Sequence, residues 1–600
     1  MANLINRIRK SILWQGITVT FILFFSGCFL DSEMQPFYGV AKTTKSQEFR
    51  WSDGGLPKVF DPALATAPPD TDAVRALYEG LTEFDSSASS AVPALATSWS
   101  SSTDRRTWTF YLRHDARWSN GDSVTAHDFV RSWKRVLNMG QKSPNARLLS
   151  NIEGAVPVPL PTASPKPTPV VPEFKPRAEI AETPLTPTNP KPEPTPTPKP
   201  LGVEAIGDYA LQVRLDQPDK DFPNLVAHPG FRPVHIETGS EISNPTSISN
   251  GAFELAQTGT DSVILKRSNN YWNAGATQLE RVRFVAFSNS EGALAAYKAG
   301  EVDAVSNAAL EPLAIKLLSP YSDFKRSTYA ALTLYNFNQT KPPFNDIKVR
   351  EALSISIDRD RISQDVMGGS TVPADKYLPD NQQAKNNIKT EKISTGATNI
   401  ARARALLFQA GFPDGKGFPK ISLLINRNEQ QRVVAQTIAS MWKTGLNIDT
   451  EVVARNWDEY ETALNSGQYD IARRSVVMPA PDERIIISML FEVGLPPISD
   501  PVGTPVKVPE NSANIGPPAS RNEPPTNDGV SQAETSPIQS EAAALKQFAA
   551  IPLFFASSYA LVKPYVSGFE TNLQDAPSLK SVKIDPDWEP PAKPKTVWWK

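Results

Sequence analysis

The chain has 600 residues, of which 40% are hydrophobic and 21% charged, so it is long enough for two or three domains with cores of their own. Its formal net charge of −2 excludes a global field that would draw it to nucleic acid or to anionic lipid. A single cysteine, Cys28, excludes an intrachain disulfide, a zinc cluster and an iron–sulfur site.

The N-terminus resembles a bacterial lipoprotein signal. A basic start at residues 7–10 precedes a mostly apolar run, residues 12–25, which is short for a membrane span but suits a signal-peptide core. Two small residues then lead to Cys28, although Phe25 stands where leucine is usual. This resemblance implies that Cys28 is lipidated and begins the mature chain, and an uncleaved N-terminal anchor is the alternative. Either way, the bulk of the chain is expected outside the cytoplasmic membrane.

The first predicted elements of the folded part are a strand and a helix. Residues 107–113 ("TWTFYLR") alternate between apolar and polar, which predicts a strand with its apolar side chains on one face. Thr125 is followed three residues later by Asp128, the spacing of a capping box. A helix is therefore predicted to begin after Thr125.

Further along the chain, a helix repeatedly ends at a glycine and a strand follows within a few residues. Glycine supplies the left-handed residue with which many helices end. An alternation of helix and strand predicts α/β lobes. The predicted helix ends are Gly300, Gly411, Gly445 and Gly467.

Two zones are too rich in proline to form a core. Residues 157–200 contain 16 prolines and one aromatic residue, Phe174, and residues 496–537 contain ten prolines. Neither zone can bury enough apolar area to offset its chain entropy, so both are predicted to be disordered, extended and exposed. We interpret them as spacers, with docking to aromatic-lined partner grooves as the alternative.

The sequence offers no constellation for catalysis. Its four histidines show no metal-ligand spacing, and the body of the chain has neither a nucleophile elbow nor a cysteine. Residues 411–416 ("GFPDGK") resemble a phosphate loop, but they are one residue short and follow a predicted helix rather than a strand. We read them as a helix end and a turn, and we predict a protein that is not an enzyme and uses neither a cofactor nor a metal.

Motifs spread from Asp61 to Phe569 carry a resemblance to one family. In chain order they are "DPALAT" at Asp61, "RALYEGL" at Arg75, "PALATSW" at Pro93, "TWTFYLRHDARWSNGDSVTAHDFVRSWKRVL" at Thr107, "LGVEAIGDYALQVRL" at Leu201, "NGAFEL" at Asn250, "RSNNYWN" at Arg267, "AYKAGEVD" at Ala296, "YNFNQTKPPFNDIKVREALSISIDRDRI" at Tyr335, "QAGFPDGKGFP" at Gln409, "NWDEYETALNSGQYDIAR" at Asn456 and "ALVKPYVSGF" at Ala560. Each is weak alone, but their order is specific. The chain resembles the extracytoplasmic oligopeptide-binding proteins of ABC importers, solute-binding protein family 5.

The resemblance implies an α/β, bilobal periplasmic-binding-protein-like fold with an extra subdomain, interrupted by the two Pro-rich insertions. Ligand would bind in the cleft between the lobes, which close on it by a hinge. The predicted boundaries are a signal peptide at 1–27, a tether at 28–47, lobe I at 48–75, 201–308 and 555–600, the extra subdomain at 76–156, Pro-rich insertions at 157–200 and 496–540, and lobe II at 309–495 and 541–554.

The same resemblance shows where this chain departs from the family. Family members hold the backbone of a peptide by strand hydrogen bonds and its amino group by a carboxylate. At two positions where the family carries acidic residues this chain has Leu56 and Pro479, and Val476 replaces an expected aromatic residue. We therefore predict that the chain does not bind a free peptide amine in the usual way. Asp482 could replace the lost acid only if its loop is rearranged.

Six residues are candidates for ligand binding. They are Trp457, Arg473, Asp482, Tyr335, Asn336 and Asn338. Ordinary structural roles stay open for five of them. Arg473 could pair with a neighbouring carboxylate, Trp457 could belong to the core, and the three residues between 335 and 338 could be strand and crossover residues without ligand contact.

The sequence thus predicts a lipid-anchored extracytoplasmic solute-binding protein. It would capture oligopeptides or a related small solute and deliver the ligand to a membrane ABC permease. We expect a monomer in the periplasm or cell envelope, held to the membrane by its lipid, with no nucleic-acid partner. The alternative is the same scaffold with a degenerate ligand site, serving as an envelope interaction or sensing protein.

Overall fold

The computed structural model describes residues 36–43, 46–85, 90–155, 199–236, 247–379, 397–491, 538, 540–570 and 577–590. The predicted signal peptide, Cys28 and almost all of the two Pro-rich zones lie outside the described residues. Among the residues that are described, no helix is long and apolar enough to cross a membrane.

Strands and helices alternate over much of the described chain. The strands are β1 (Glu48–Asp53), β2 (Thr82–Asp85), β3 (Ser90–Pro93), β4 (Ala96–Ser101), β5 (Thr107–Leu112), β6 (Val203–Ala205), β7 (Ala210–Arg214), β8 (Phe253–Thr258), β9 (Ser262–Arg267), β10 (Arg281–Val285), β11 (Ala304–Ser306), β12 (Phe324–Phe337), β13 (Thr371–Pro373), β14 (Ile421–Asn426), β15 (Thr450–Arg455), β16 (Ile471–Val477), β17 (Ala550–Val562), β18 (Val566–Ser567) and β19 (Lys583–Ile584). The helices are α1 (Asp70–Leu77), α2 (Ala126–Met139), α3 (Phe222–Leu225), α4 (Ser290–Ala299), α5 (Pro312–Leu318), α6 (Ile347–Ile355), α7 (Arg359–Arg361), α8 (Ala397–Gln409), α9 (Glu429–Leu446), α10 (Trp457–Asn465), α11 (Glu483–Phe491) and α12 (Glu541–Lys546).

The largest sheet runs through the molecule and joins its two halves. Its order is β15-β14-β16-β12-β17-β11-β1-β10-β9-β8, and β13 pairs with β17 outside that path. One half contains the parallel pairs of β14 with β15 and β16, and the other contains the parallel pairs of β1 with β10 and β11. Parallel pairs need crossover connections, which helices commonly supply. The predicted α/β class is confirmed.

Two long strands, β12 and β17, belong to both halves of this sheet. The first part of β12 pairs with the last part of β17, with Phe324 opposite Leu561, and β17 pairs there with β11. The second part of β12 pairs with β16. Between Thr328 and Leu332 the register of β12 against β17 shifts, so regular pairing is interrupted where β12 passes from one half to the other.

A smaller sheet of order β4-β5-β7-β6 contains the strand predicted at residues 107–113. Its apolar side chains are buried, as the alternation requires. Helix α2 packs on this sheet and begins at the predicted capping box, in which the backbone N–H of Thr125 donates to the carboxylate of Asp128 at 2.7 Å. Both predictions are confirmed.

Three of the four predicted helix ends are also confirmed. Gly300, Gly411 and Gly467 have φ of 82°, 92° and 66°, the left-handed region that glycine adopts without a steric cost. The prediction at Gly445 is wrong, because α9 continues past it and Asn447 takes the left-handed conformation with φ 59°. Asparagine tolerates this region better than most other residues, so it can end a helix as glycine does.

The strand β12 separates two apolar cores. Leu332 and Leu334 on one face belong to the larger core, which also contains buried residues of β1, β10, the smaller sheet and α11. Tyr335 and Phe337 on the other face belong to a second core under α6, α9 and β14. The predicted boundaries of lobes and subdomain stay a prediction, but this strand is where the two halves are held together.

Candidate ligand site

Two of the candidate residues are brought together by the pairing of β12 with β16. Tyr335 lies directly opposite Arg473 in the antiparallel register of these strands. Both residues are buried, Tyr335 completely and Arg473 to all but 3% of its surface. Opposite residues of an antiparallel pair have their Cα atoms about 4.5–5.5 Å apart, so residues distant in the sequence become neighbours here.

The guanidinium of Arg473 is oriented by neutral acceptors. Its Nη1 donates to Asn426 Oδ1 at 2.9 Å, and its Nη2 donates to Ser475 Oγ at 2.5 Å. The hydroxyl of Tyr460 donates to the backbone carbonyl of Arg473. These contacts fix a planar group whose fork of N–H donors matches the two oxygens of a carboxylate.

The hydroxyl of Tyr335 has no hydrogen-bond partner among the described residues. Burial raises the pKa of Tyr335, and the charge of Arg473 opposes that rise only in part, so the hydroxyl keeps its proton at neutral pH and can donate a hydrogen bond. A buried hydroxyl without a partner costs about 1–3 kcal/mol. An oxygen of a bound ligand or water would remove that cost.

The two asparagines on and after β12 differ in their surroundings. Asn338 serves a turn: its Nδ2 donates to the carbonyls of Gly467 and Tyr469 at 3.1 Å, and its Oδ1 accepts from the hydroxyl of Thr340 at 2.6 Å. These contacts describe a structural role for Asn338, which is one of the alternatives that the sequence left open. Asn336 is half-buried, and its Oδ1 has no hydrogen-bond partner among the described residues.

Trp457 is the first residue of α10 and remains 37% exposed. Its ring packs against Tyr460 with the ring centroids 5.6 Å apart. Because Tyr460 binds the backbone carbonyl of Arg473, a short chain of contacts connects Trp457 to Arg473. Its exposure places Trp457 at the surface rather than in the core.

Comparison with known proteins identifies the family. A family model of bacterial extracellular solute-binding proteins, family 5 Middle, matches residues 90–493. The chain belongs to this family. The resemblance predicted from its motifs is confirmed, and with it the expectation of a binding protein of the ABC-transporter type rather than an enzyme.

Relatives of this family 5 protein cover most of its length. The periplasmic murein peptide-binding protein MppA of Escherichia coli (strain K12) is 32% identical over 435 residues, which are 70% of this chain and 73% of MppA. The periplasmic oligopeptide-binding protein OppA of the same strain is 30% identical over 434 residues, with the same coverage. A structure of MppA in an unliganded open form matches with a TM-score of 0.68 at 26% identity, over 91% of this chain and 98% of that one. The predicted periplasmic-binding-protein-like fold is confirmed, and the periplasmic relatives support an extracytoplasmic location.

Three positions at which this family 5 protein departs from the motif pattern carry apolar side chains that are buried or half-buried. Leu56 is half-buried and packs against the larger core. Val476 is 2% exposed and lies opposite Leu332, and Pro479 is half-buried. A charge-assisted hydrogen bond to an ammonium group needs an acceptor that none of these side chains has.

Asp482 serves the fold in this structure. It is completely buried, and its Oδ1 accepts from the backbone N–H of Ile485 at 2.9 Å, which caps the start of α11. Its carboxyl group lies beside that of Asp219, in the loop between β7 and α3. Burial, together with the charge of Asp219, raises the pKa of Asp482 to about 7. Asp482 would have to leave this position to reach a ligand, which is the loop rearrangement that its predicted role requires.

Sequence reasoning missed three residues of this region. Asn426 ends the apolar strand β14, and polar residues at the carboxyl ends of such strands are a signal that could have found it. Ser475 lies two residues after Arg473 on the same face of β16, which is a second usable signal. Asp219 lies in a loop, and nothing in the sequence connects it to Asp482.

Proposed function

We propose that this protein captures an oligopeptide or a related small solute between its two halves and delivers it to the permease of an ABC importer. The observation that carries the proposal is the β12–β16 pairing, which sets Tyr335 beside the oriented guanidinium of Arg473. MppA and OppA are named for murein peptides and oligopeptides, which supports peptides as the ligand class. No observation favours the envelope interaction or sensing role over transport.

The mechanism that we infer needs only binding and closure. The interrupted register between Thr328 and Leu332 leaves fewer ladder hydrogen bonds to resist bending, so we place a hinge there. An extended peptide would bind mainly through its backbone, which gives affinity with little choice of sequence. Arg473 would bind a carboxylate of the ligand, and Trp457 would pack against it at the exposed edge of the site.

Recognition of the peptide amine is where this protein should differ from other family members. Removing one partner of a buried charge pair costs roughly 2–5 kcal/mol. In affinity this is about 30-fold to several-thousand-fold. With Leu56 and Pro479 in place of acids, a buried ammonium group would meet apolar surface, so a free amine gives the ligand no advantage.

We therefore expect a tripeptide and its N-acetylated form to bind with similar affinity. Isothermal titration calorimetry of the two ligands measures the difference directly. A matched variant, Pro479→Asp, restores a carboxylate at the position where the family carries one and should shift the preference towards the free amine. A strong preference of the unchanged protein for the free amine would contradict this part of the proposal.

We also propose that the protein is attached to the membrane through lipid on Cys28. The variant Cys28→Ser should then be released from membranes, because the thiol that carries the lipid is gone. Flotation of membranes on a density gradient, with the protein detected by antibody, distinguishes membrane-attached protein from released protein. If the variant still floats with the membranes, residues 12–25 act as an uncleaved anchor instead.

A further inference from the structure

Helix α5 carries an apolar pair on its outer face. Leu313 is 68% exposed and Leu317 is 64% exposed. The two residues are four positions apart, so they lie one above the other on the same side of the helix. Ile315 and Leu318 on the opposite side are buried, which fixes the rotation of the helix and keeps the leucine pair outward.

The described chain begins beside this helix. The carbonyl of Pro36 accepts from the backbone N–H of Ser322 at 3.0 Å and from its hydroxyl at 2.6 Å. Ser322 follows the end of α5 by four residues. The next contacts continue this attachment, since the backbone N–H of Tyr38 donates to Asp323 at 3.0 Å and the ring of Tyr38 packs on Tyr321.

The chain between Pro36 and the cysteine proposed to carry the lipid is short. Seven residues separate Cys28 from Pro36. Fully extended, the chain between their Cα atoms spans at most about 28 Å. With Pro36 fixed on the turn after α5, a lipid on Cys28 would keep this end of the helix near the bilayer surface.

The charges around α5 also suit a membrane surface. Lys316 lies between the two leucines in the sequence and is exposed, and Lys325, also exposed, donates to the carbonyl of Ser322 at 2.9 Å. The exposed acid Glu311 precedes the helix at its other end. Basic groups beside an apolar surface are attracted to anionic headgroups while the apolar side chains enter the interface.

We propose that the outer face of α5 docks on the lipid surface of the membrane, with Leu313 and Leu317 in the headgroup–acyl boundary. This inference rests on the proposed anchoring at Cys28. Two leucines alone bind a bilayer weakly, but a tether that holds them close to it gives a high effective concentration, so a weak contact is enough. Docking would fix the orientation of the lobes on the membrane instead of leaving them to rotate about the tether.

The single native cysteine makes a direct test possible. Lipidation consumes the thiol of Cys28, so a cysteine introduced at Ser319, just after α5, is the one available for an environment-sensitive fluorophore. The labelled, lipidated full chain is placed on vesicles of phosphatidylethanolamine and phosphatidylglycerol that contain a lipid-borne quencher. A label at Phe408→Cys, on the exposed surface of α8 (69% exposed), is the matched control.

We expect strong quenching at position 319, little at position 408, and several-fold weaker quenching at 319 when Leu313→Ser and Leu317→Ser are added. Flotation shows in parallel whether each variant is still anchored. Anchored protein without quenching at 319 overturns the docking and leaves the anchoring intact, whereas failure of the unchanged chain to float overturns both. Quenching at 319 that does not depend on the leucines, or an effect that appears only when the permease is present, also overturns docking on lipid.

Discussion

Replacing Arg473 with methionine is expected to weaken peptide binding by about 2–5 kcal/mol, the range for truncating one partner of a buried charge pair. Methionine keeps much of the volume and removes the fork of N–H donors that Asn426 and Ser475 hold in place. Arg473→Lys should recover only part of the loss, because an ammonium group cannot bind two carboxylate oxygens in parallel. Calorimetric titration of a tripeptide against the three proteins measures these differences.

The neighbouring arginine provides the control. Arg474 points to the other face of β16, and its Nη1 donates to the carbonyl of Leu490 at 3.0 Å. Arg474→Met should therefore lower stability by loosening α11 while leaving peptide affinity nearly unchanged. If Arg474→Met weakened binding as much as Arg473→Met, the loss would come from a disturbed strand, and a ligand contact at Arg473 would be excluded.

Much of the fold was accessible to sequence reasoning because local signals report it. The capping box at Thr125 and the left-handed glycines act within a few residues, so their outcome hardly depends on the rest of the chain. The prediction at Gly445 was wrong for a local reason as well, since Asn447 offers a second left-handed position two residues later.

The candidate site was harder to predict from the sequence because it depends on the order of the strands in the sheet. Tyr335 lies opposite Arg473 because β16 pairs with β12 in the sheet. The sequence of neither strand indicates which strand will be its neighbour. Family motifs selected both residues, but only the pairing places them together. The contact between Asp219 and Asp482 is even harder to predict from the sequence, since it joins a loop near the smaller sheet to the start of α11.

That contact makes the stability of the protein depend on pH. The Oδ2 atoms of Asp219 and Asp482 both lack a hydrogen-bond donor among the described residues, and Arg484 Nε lies 3.7 Å from Asp219. Burial disfavours the charged form of Asp482, and the charge of Asp219 adds to this effect, so the pKa of Asp482 rises to about 7. In the unfolded chain its pKa is near the ordinary value of about 3.9. Between these two pKa values Asp482 is protonated in the folded protein and ionised in the unfolded chain. Its contribution to the free energy of unfolding is therefore greatest below the lower value and falls as the pH rises to about 7.

The variant Asp482→Asn should remove this dependence. Asparagine caps a helix as well as aspartate does, and its neutral amide brings no second charge beside the buried Asp219. Each pKa unit corresponds to 1.36 kcal/mol, so we expect the variant to be more stable than the unchanged protein by about 2–4 kcal/mol near pH 8 and by little near pH 4. Urea denaturation across this pH range, followed by tryptophan fluorescence, measures the difference.

Asp482→Ala separates the two roles of this side chain. It also removes the charge, but it loses the cap, which is worth about 1 kcal/mol at any pH. Its stability curve should therefore run parallel to that of Asp482→Asn and below it. If the unchanged protein does not lose stability relative to Asp482→Asn between about pH 4 and pH 8, the pKa of Asp482 is not raised in the folded protein. Asp482 would then already be ionised at neutral pH, and less of the cost of moving it into the ligand site would come from deprotonation.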